Sequence, residues 1–292
     1  MKIAFLGLGL IGGSVARAVA EAGWADSLSA WSPSGTGPRA AVGHGIVPAS
    51  TPREAVRDAA LVVLAAPPLA CLALVDDLAG DLANSLVADV VVTDVAGTKA
   101  AISARAHDRG IRFVGGHPMA GREVGGYEAA DPDLFRDRPW VIVPPDPADP
   151  AAEELVTGLA AACGARPVRM VAADHDTAVA GISHLPLIVS AALVEAVAGS
   201  ADWPAAAGLA AGGWASMSRL ARGDVEMGAG MLATNADAVS GRLRAFRDVI
   251  DAWLGELGGA APDPDALRRR LAAARDRAMT TEPGPRPGAV GD

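Results

Sequence analysis

The stretch that decides the fold is KIAFLGLGLIGGSVARAVAEAG, residues 2–23. Residues 2–6 are mostly apolar and predict a short buried strand, whereas residues 14–22 are rich in alanine and valine and predict a helix. Glycines crowd the turn between these two segments. A strand, a glycine-rich turn and a helix, in that order, predict the opening unit of a βαβ fold.

Gly7, Gly9 and Gly12 fit the spacing G-x-G-x-x-G, which binds a dinucleotide when it lies between a strand and a helix. Gly7 permits the tight turn, Gly9 lets the backbone approach the pyrophosphate, and Gly12 lets the helix pack closely on the strand. The N–H groups of Leu10 and Ile11, at the helix N-terminus, are the expected phosphate donors. The alternative is a glycine-rich turn that binds nothing.

The rest of the first half alternates strand-like and helix-like segments. This pattern predicts an α/β fold over residues 1–172, with a doubly wound, mostly parallel sheet of the Rossmann type. We expect Ala66 and Pro67, where two prolines stop a strand, to line the cofactor site. The later predicted strands lie in 26–32, 60–68, 86–97, 111–118 and 138–145, with a last one near the end of 146–171.

The composition changes after residue 172. Residues 173–279 hold long stretches rich in Ala, Leu and Val and predict an all-helical domain. Helices this apolar need partners on more than one face, so we expect this domain to bind substrate and to form a homodimer. The segment 280–292 is rich in Pro and Gly, and we expect a disordered tail there.

Composition and charge exclude several classes of function. The 292 residues are enough for two domains, and a net charge of −9 argues against a nucleic-acid surface. No run of 18 residues escapes charge, Pro or Gly, so we expect no membrane span. Cys71 and Cys163 lie in apolar surroundings and are expected to be buried, reduced thiols of a cytoplasmic protein. No His and Cys cluster has metal-ligand spacing, so no metal is expected.

The end of the second strand bears on the choice of cofactor. An acidic residue there binds the ribose 2′-hydroxyl of NAD, but this chain has AWSPSGTGPR, residues 30–39, without an acid. Ser32, Ser34, Thr36 and Arg39 could instead hold the 2′-phosphate of NADP. Alternatively they are only loop residues, and NAD binds without the acid. We therefore expect NAD or NADP, with NADP favoured.

His117 is the candidate base, because it stands just past the end of a predicted strand, where ligands bind in open α/β sheets. A neutral imidazole accepts a proton at physiological pH. His184, by itself, is typical of a histidine satisfied within helical packing. His44 and His107 lie in polar or glycine-flanked stretches and are expected to be exposed. Together these residues predict a nicotinamide-dependent dehydrogenase with an anionic substrate.

Four stretches of the chain carry a resemblance to a known family: GLGLIGGS (7–14), TDVAGTK (93–99), GGHPMAGREVGGYEAADPDLFRDRPWVIVP (115–144) and DHDTAVAGISHLPLIVSAAL (174–193). Over residues 1–255 the chain resembles the prephenate/arogenate dehydrogenases of tyrosine biosynthesis. The resemblance implies an oxidative decarboxylation of a cyclohexadienyl ring. Hydride leaves the ring carbon that bears the hydroxyl and goes to NAD(P)⁺, the carboxylate departs as CO₂, and the ring becomes aromatic.

The resemblance also implies roles for individual residues. His117 accepts the hydrogen bond, and then the proton, of the ring hydroxyl. His184 becomes an active-site residue that contacts or orients the substrate. Arg219 matches the arginine that binds a substrate carboxylate, for which a guanidinium is suited by its paired N–H groups. Asn235 matches an asparagine that we expect to form a helix-packing hydrogen bond.

The chain departs from the family pattern on the substrate side. Gly97 replaces a serine of many relatives, and the neighbouring Thr98 could supply the missing hydroxyl. Leu187 stands where a second histidine is frequent, and Gly228 stands where a tryptophan is expected. Lys99 fits the motif either as an exposed residue of a helix start or as a contact to the cofactor. These changes leave the substrate preference open.

Prephenate dehydrogenase is therefore the expected function, with an arogenate or dual-specificity cyclohexadienyl dehydrogenase as the alternative. A hydroxyacid or imine oxidoreductase of the same layout would need a catalytic lysine or aspartate where the chain has GISHLPL, residues 181–187. A non-catalytic NADP-sensing module is the remaining alternative, and it would leave the pairing of His117 with Arg219 unexplained.

Overall fold

The computed structural model describes residues 1–122, 124–258 and 261–281. Within these residues, eight strands form one sheet: β1 (Lys2–Leu6), β2 (Ser27–Trp31), β3 (Ile46–Pro48), β4 (Leu61–Leu64), β5 (Val91–Asp94), β6 (Phe113–Pro118), β7 (Pro139–Val143) and β8 (Arg166–Arg169). Their order is β3-β2-β1-β4-β5-β6-β7-β8. Neighbouring strands are parallel except for β6 and β7, which are antiparallel. The predicted doubly wound, mostly parallel sheet is confirmed.

Thirteen α-helices accompany the sheet in the described residues. Those within the first half are α1 (Leu10–Glu21), α2 (Thr36–Ala40), α3 (Pro52–Val56), α4 (Pro68–Ala79), α5 (Ala100–Asp108) and α6 (Pro150–Ala162). Those that follow β8 are α7 (Ala172–Val179), α8 (Leu185–Ala198), α9 (Trp203–Ala206), α10 (Gly212–Met217), α11 (Val225–Thr234), α12 (Ala236–Leu257) and α13 (Pro264–Thr281).

The core lies on both faces of the sheet, because alternate residues of a strand point to opposite sides. Ile3 and Phe5 of β1 join one apolar cluster with side chains of α1 and α6. Ala4 and Leu6 join a second cluster with side chains of α4 and α5. This burial on both faces explains why β1 and β4 are continuous apolar runs rather than alternating ones.

The part of the chain after β8 is helical throughout its described residues, as predicted. Met1–Val239 forms one compact unit, and a second unit begins at Ser240, within α12. The expected domain boundary after residue 172 stays a prediction. The predicted tail, 280–292, lies outside the described residues except for Thr280 and Thr281, which end α13.

Helices α7 and α8 run together as one helix over Ala172–Ala198, joined by a π-helical turn at Ala180–His184. By length and composition this helix could cross a membrane, and the expectation that the chain has no membrane span stays a prediction. Gly181 and Pro186 do not interrupt it, and Pro186 comes just after the π-helical turn, where the α-helical hydrogen-bond pattern is already broken. One such helix is weak evidence for a membrane protein.

Candidate active site

The glycine motif forms the turn between β1 and α1. Gly7 has φ +99°, and a Cβ on Gly7 would lie 2.2 Å from the carbonyl oxygen of Ala65. A Cβ on Gly12 would lie 2.6 Å from the Cβ of Ala65, so α1 packs closely on the residue that follows β4. A Cβ on Gly9 would meet no described atom within 4 Å. The geometry fits a dinucleotide, which needs a tight turn, close helix packing and open space in front of the second glycine.

The other residues expected to line the cofactor lie next to this turn. Helix α1 begins at Leu10, so the N–H groups of Leu10 and Ile11 have no acceptor within the helix. No side chain caps this end of the helix either. The backbone nitrogen of Ala66 would lie 3.2 Å from a Cβ on Gly7, and Pro67 directly precedes α4. The structure thus brings the ends of β1 and β4 together, and cofactor binding by these residues stays a prediction.

The four polar residues after β2 lie in the loop that leads to α2 and in α2 itself. Gly35 adopts a left-handed conformation with φ 64°, and the hydroxyl of Ser34 accepts a hydrogen bond from the N–H of Thr36 at 3.3 Å. The guanidinium of Arg39 donates to the carbonyl oxygen of Ser34 at 3.0 Å. The hydroxyl of Ser32 is buried and has no partner among the described residues. This orphaned hydroxyl fits a ribose or phosphate oxygen better than it fits a closed surface.

A buried ion pair fixes the end of β6, where His117 lies. Lys99 and Asp94 contact each other, and both side chains are fully buried. The carboxylate of Asp94 accepts the N–H of Gly116 at 3.0 Å, and Lys99 donates to the carbonyl oxygen of Gly116 at 2.8 Å. Lys99 is therefore not an exposed residue of a helix start. Its ammonium group binds Asp94 and the carbonyl oxygen of Gly116. Both backbone groups of the residue before His117 are held in place.

His117 is the first member of a hydrogen-bonded chain of three side chains. Its Nδ1 lies 2.8 Å from Nε2 of His175, and Nδ1 of His175 lies 2.7 Å from Oδ1 of Asp176. Asp176 in turn accepts the N–H groups of Lys99 and Ala100 at the start of α5, at 2.8 Å and 2.9 Å. His175 and Asp176 are buried polar residues that the sequence reasoning missed. Their signal was present in DHD, residues 174–176, at the start of a long apolar helix.

The surroundings of His117 favour its neutral form. Burial lowers the pKa of His117 well below the ordinary histidine value, and His175, Lys99 and His184 lower it further. Because Nδ1 faces His175, the Nε2 atom is the ring nitrogen left for a ligand. This nitrogen has no hydrogen-bond partner among the described residues, and a Cβ on Gly97 would lie 3.9 Å from it.

His184 is buried beside this chain. Asn235 donates through Nδ2 to the carbonyl oxygen of Asp176 at 2.8 Å, and the same nitrogen lies 3.2 Å from Nδ1 of His184. The predicted hydrogen bond of Asn235 between helices is therefore present. Burial lowers the pKa of His184, so the ring is neutral and carries its hydrogen on Nε2. That Nε2 is buried without a partner among the described residues.

Arg219 follows α10 in an exposed turn. The segment on either side of it is tied to α8 by the buried hydroxyl of Ser190, which donates to the carbonyl oxygen of Met217 at 2.8 Å and accepts the N–H of Ala221 at 3.0 Å. Arg219 therefore lies in a turn that is held against α8, and its role as the carboxylate ligand stays a prediction.

Thr98 has a different partner from the one expected. Thr234 donates its hydroxyl hydrogen to the carbonyl oxygen of Gly230 at 2.7 Å, so the 2.8 Å contact between the two threonine hydroxyls is donated by Thr98. The hydrogen that Thr98 would offer a substrate is thus in use between the β5–α5 loop and α11. This geometry does not support Thr98 as a substitute for the missing serine.

The remaining candidates are buried or peripheral. Cys71 and Cys163 are free and buried, as predicted, and burial raises the pKa of each thiol to about 12. His107 and His44 are both exposed. Nδ1 of His44 also contacts the hydroxyl of Tyr127 at 2.9 Å. Across the described ranges, no group of three or more His, Cys, Asp and Glu side chains is arranged to hold a metal.

Comparison with known proteins identifies the family. Residues 15–169 match the family model described as prephenate dehydrogenase, nucleotide-binding domain, and residues 171–271 match that of the prephenate dehydrogenase dimerization domain. The chain belongs to the prephenate dehydrogenase family. It is therefore an NAD(P)-dependent oxidoreductase of tyrosine biosynthesis.

Three relatives illustrate the similarity. The prephenate dehydrogenase of Bacillus subtilis is 31% identical over 261 residues, which cover 87% of this chain and 68% of that protein. The crystal structure of Synechocystis arogenate dehydrogenase has 31% identity and a TM-score of 0.75, covering 95% of this chain and 99% of that one. The A. aeolicus prephenate dehydrogenase with hydroxyphenyl propionate and NAD⁺ shares the fold, with a TM-score of 0.87 at 22% identity, covering 97% and 98%.

Two departures from the pattern of the prephenate dehydrogenase family lie opposite each other. A Cβ on Gly228 would lie 3.5 Å from Cδ2 of Leu187, so the positions of the absent tryptophan and the absent histidine are neighbours. At Gly97, a Cβ would lie 3.1 Å from Sδ of Met231, so this methionine limits the space that a serine would need. That these positions line the substrate stays a prediction.

Proposed function

We propose that this protein is a prephenate dehydrogenase, which converts prephenate to 4-hydroxyphenylpyruvate and CO₂. The observation that carries the proposal is the neutral, largely buried His117, whose Nδ1 faces His175 and whose Nε2 lies near Gly97 without a partner among the described residues. An arogenate or dual-specificity cyclohexadienyl dehydrogenase is the second candidate, and the 31% identity to an arogenate dehydrogenase supports it. The two substrates differ only in the side chain, which carries a keto group in prephenate and an amino group in arogenate.

His117 does the proton chemistry of this reaction. Its Nε2 accepts the hydrogen bond of the ring hydroxyl and takes the proton as the C–H bond at the same carbon breaks. When bound, NAD(P)⁺ supplies the acceptor for the hydride. Loss of CO₂ then returns the bonding electrons to the ring, and the proton held by His117 can go back to the phenolate oxygen. Aromatisation and CO₂ release drive the reaction, so the protein mainly positions and polarises.

The substrate's anionic groups require donors, and two are proposed. Arg219 binds a carboxylate through its paired N–H groups. His184 donates through Nε2, which is buried without a partner among the described residues. A buried donor left without an acceptor is costly, so a ligand oxygen is the partner expected for it.

We propose NADP⁺ as the preferred cofactor. The chain has no acid at the end of β2, where a carboxylate would repel a 2′-phosphate. Ser34, Thr36 and Arg39 meet in one turn beside the orphaned hydroxyl of Ser32, and Arg39 supplies positive charge. This set supports phosphate binding, although NAD⁺ can bind the same glycine turn.

We further propose that the protein is a cytoplasmic homodimer. Most of the apolar helix Ala172–Ala198 is not buried within its own chain, which leaves a face for a second copy to cover. The match of residues 171–271 to a dimerization domain supports this occupant over a membrane. Free, buried thiols are consistent with a reducing compartment.

The test is the formation of reduced cofactor in four mixtures: prephenate or arogenate, each with NAD⁺ or NADP⁺. We expect turnover with prephenate and NADP⁺ to be fastest. His117→Asn should bind cofactor normally and turn over about 10²–10⁴-fold more slowly, whereas His107→Asn, at an exposed histidine, should match the wild type. No turnover in any mixture, with cofactor still bound, would support another oxidoreductase of this layout or a non-catalytic sensing module instead.

A further inference from the structure

We propose that His175 and Asp176 are positioning residues that hold His117 in the tautomer with a bare Nε2. The inference rests on the proposed role of His117 as the base, and it assigns a reason for that role. Nothing in a histidine by itself decides which ring nitrogen carries the hydrogen. Here the hydrogen-bonded chain from the start of α5 to His117 decides it.

The direction of the hydrogen bonds in this series of side chains is determined at Asp176. Backbone N–H groups can only donate, so the contacts of Lys99 and Ala100 make both carboxylate oxygens acceptors. Burial alone would raise the pKa of Asp176, but the hydrogen bonds from His175 and these two N–H groups lower it below its ordinary value. Asp176 is therefore an ionised carboxylate with no hydrogen to donate.

Each following contact has its direction determined by the one before. Nδ1 of His175 must carry the hydrogen that it shares with Oδ1 of Asp176. In the neutral ring, Nε2 of His175 is then the acceptor, and it takes the hydrogen on Nδ1 of His117. Nε2 of neutral His117 is left with its lone pair, which is the form that a base needs.

The same contacts serve after the proton has moved. His117 becomes an imidazolium when it takes the hydroxyl proton, and its Nδ1–H donates to a ring that is held by a buried carboxylate. His175 is buried against His117 with the two rings edge to face, their centroids 5.0 Å apart, so the acceptor of this N–H is held in place. His175 and Asp176 therefore keep an acceptor in front of Nδ1 of His117 both in the resting tautomer and after the proton has moved.

Nitrogen-15 NMR of the full-length protein, labelled on histidine, tests the tautomer directly. The chain has five histidines, so the spectrum is tractable, and the His117→Asn variant assigns the signal of residue 117. In the free wild-type protein we expect His117 with a protonated Nδ1 and a bare Nε2. This measurement needs no substrate, so its result is independent of whether prephenate is the substrate. A His117 signal with hydrogen on Nε2 would overturn the proposal.

Substitution of Asp176 tests how this hydrogen-bonded chain affects catalysis. Asp176→Asn removes the carboxylate charge that keeps the hydrogen on Nδ1 of His175, so His175 can donate from Nε2 toward His117, which moves the hydrogen of His117 to Nε2. We expect kcat to fall about 100-fold or more, since the base is blocked. KM and cofactor affinity should change little, because neither residue contacts the ligand.

Because Asp176 also caps α5, the substitutions of His175 keep the carboxylate and separate positioning from folding. His175→Leu removes the acceptor for His117, whereas the amide oxygen of Gln in His175→Gln can replace it. We expect kcat to be lost in His175→Leu and partly rescued in His175→Gln, at similar melting temperatures. Equal kcat in the Leu variant and the wild type, or a loss of the same size in Gln as in Leu, would contradict a positioning role.

Discussion

Nδ2 of Asn235 lies 3.2 Å from Nδ1 of His184 and 2.8 Å from the carbonyl oxygen of Asp176. The carbonyl can only accept, so the amide nitrogen, not its oxygen, faces both partners. One asparagine thus determines that His184 offers an N–H, while the neighbouring chain through Asp176 determines that His117 offers a lone pair. His184 is thus prepared to donate a hydrogen bond, and His117 is prepared to accept one.

This assignment predicts how substitutions of His184 differ. His184→Leu removes the Nε2–H donor, and KM for the substrate should rise about tenfold or more, because a charged oxygen loses a hydrogen bond. His184→Gln keeps an amide N–H near the same place, so its KM should rise less. Cofactor affinity, measured by fluorescence titration, serves as the control. A wild-type KM in the Leu variant would show that His184 does not bind substrate.

The acid limb of the pH profile should report His117. The base works only when unprotonated, which holds above its pKa, and burial together with His175, Lys99 and His184 lowers that pKa well below the ordinary value. We therefore expect kcat/KM to persist at pH values below the usual histidine range and to fall only as the pH drops through the lowered pKa. An acid limb at or above the usual range would mean that another group titrates.

Arg219→Ala should raise KM for the substrate about 10- to 100-fold with a smaller change in kcat, since a charge-assisted pair to a carboxylate is lost before the chemical step. Arg222→Ala is the matched control, because Arg222 is also exposed and lies in the next turn of the same segment. Steady-state kinetics of both variants decide the point. An equal effect of the two substitutions would indicate general electrostatic attraction rather than a specific ligand.

Ser32→Asp should change the cofactor preference. A carboxylate at the end of β2 repels a 2′-phosphate and accepts a ribose 2′-hydroxyl, so kcat/KM with NADP⁺ should fall about 100-fold or more while NAD⁺ is retained or improved. Ser32→Asn, of the same size without charge, is the control. If the ratio of kcat/KM for the two cofactors is the same in the Asp variant as in the wild type, this serine does not face the ribose.

Lys99→Met should destabilise the protein by about 3–5 kcal/mol, because it leaves Asp94 buried without its cation. Burial raises the pKa of Asp94, and Lys99 opposes that rise. Denaturant unfolding measures the change. The double variant Lys99→Met with Asp94→Asn should recover part of the loss, whereas Lys2→Met, at a lysine that only reaches the carbonyl of Arg57 at the surface, should be nearly neutral. A neutral Lys99→Met would mean that the pair does not hold β6.

The burial of Lys99 is a feature that its neighbours in sequence could not predict. Lys99 precedes α5, and a lysine at a helix start is ordinarily exposed, so local pattern favoured solvent or cofactor. Its burial depends on Asp94, five residues away, and on Gly116 of the next strand. Likewise Thr98 was expected to face substrate, and its partner Thr234 is 136 residues away.

What the sequence determined by itself was the local pattern and its periodicity. The turn at Gly7, Gly9 and Gly12, the alternation of strands with helices and the helical second half all follow from backbone sterics and apolar spacing, which act over a few residues. The place of His117 at a strand end followed in the same way. Only the tertiary structure brought His117 to His175 across 58 residues, and this contact determines which nitrogen of each ring carries the hydrogen. Hydrogen-bond direction depends on what packs against a side chain, and that is decided by the whole fold.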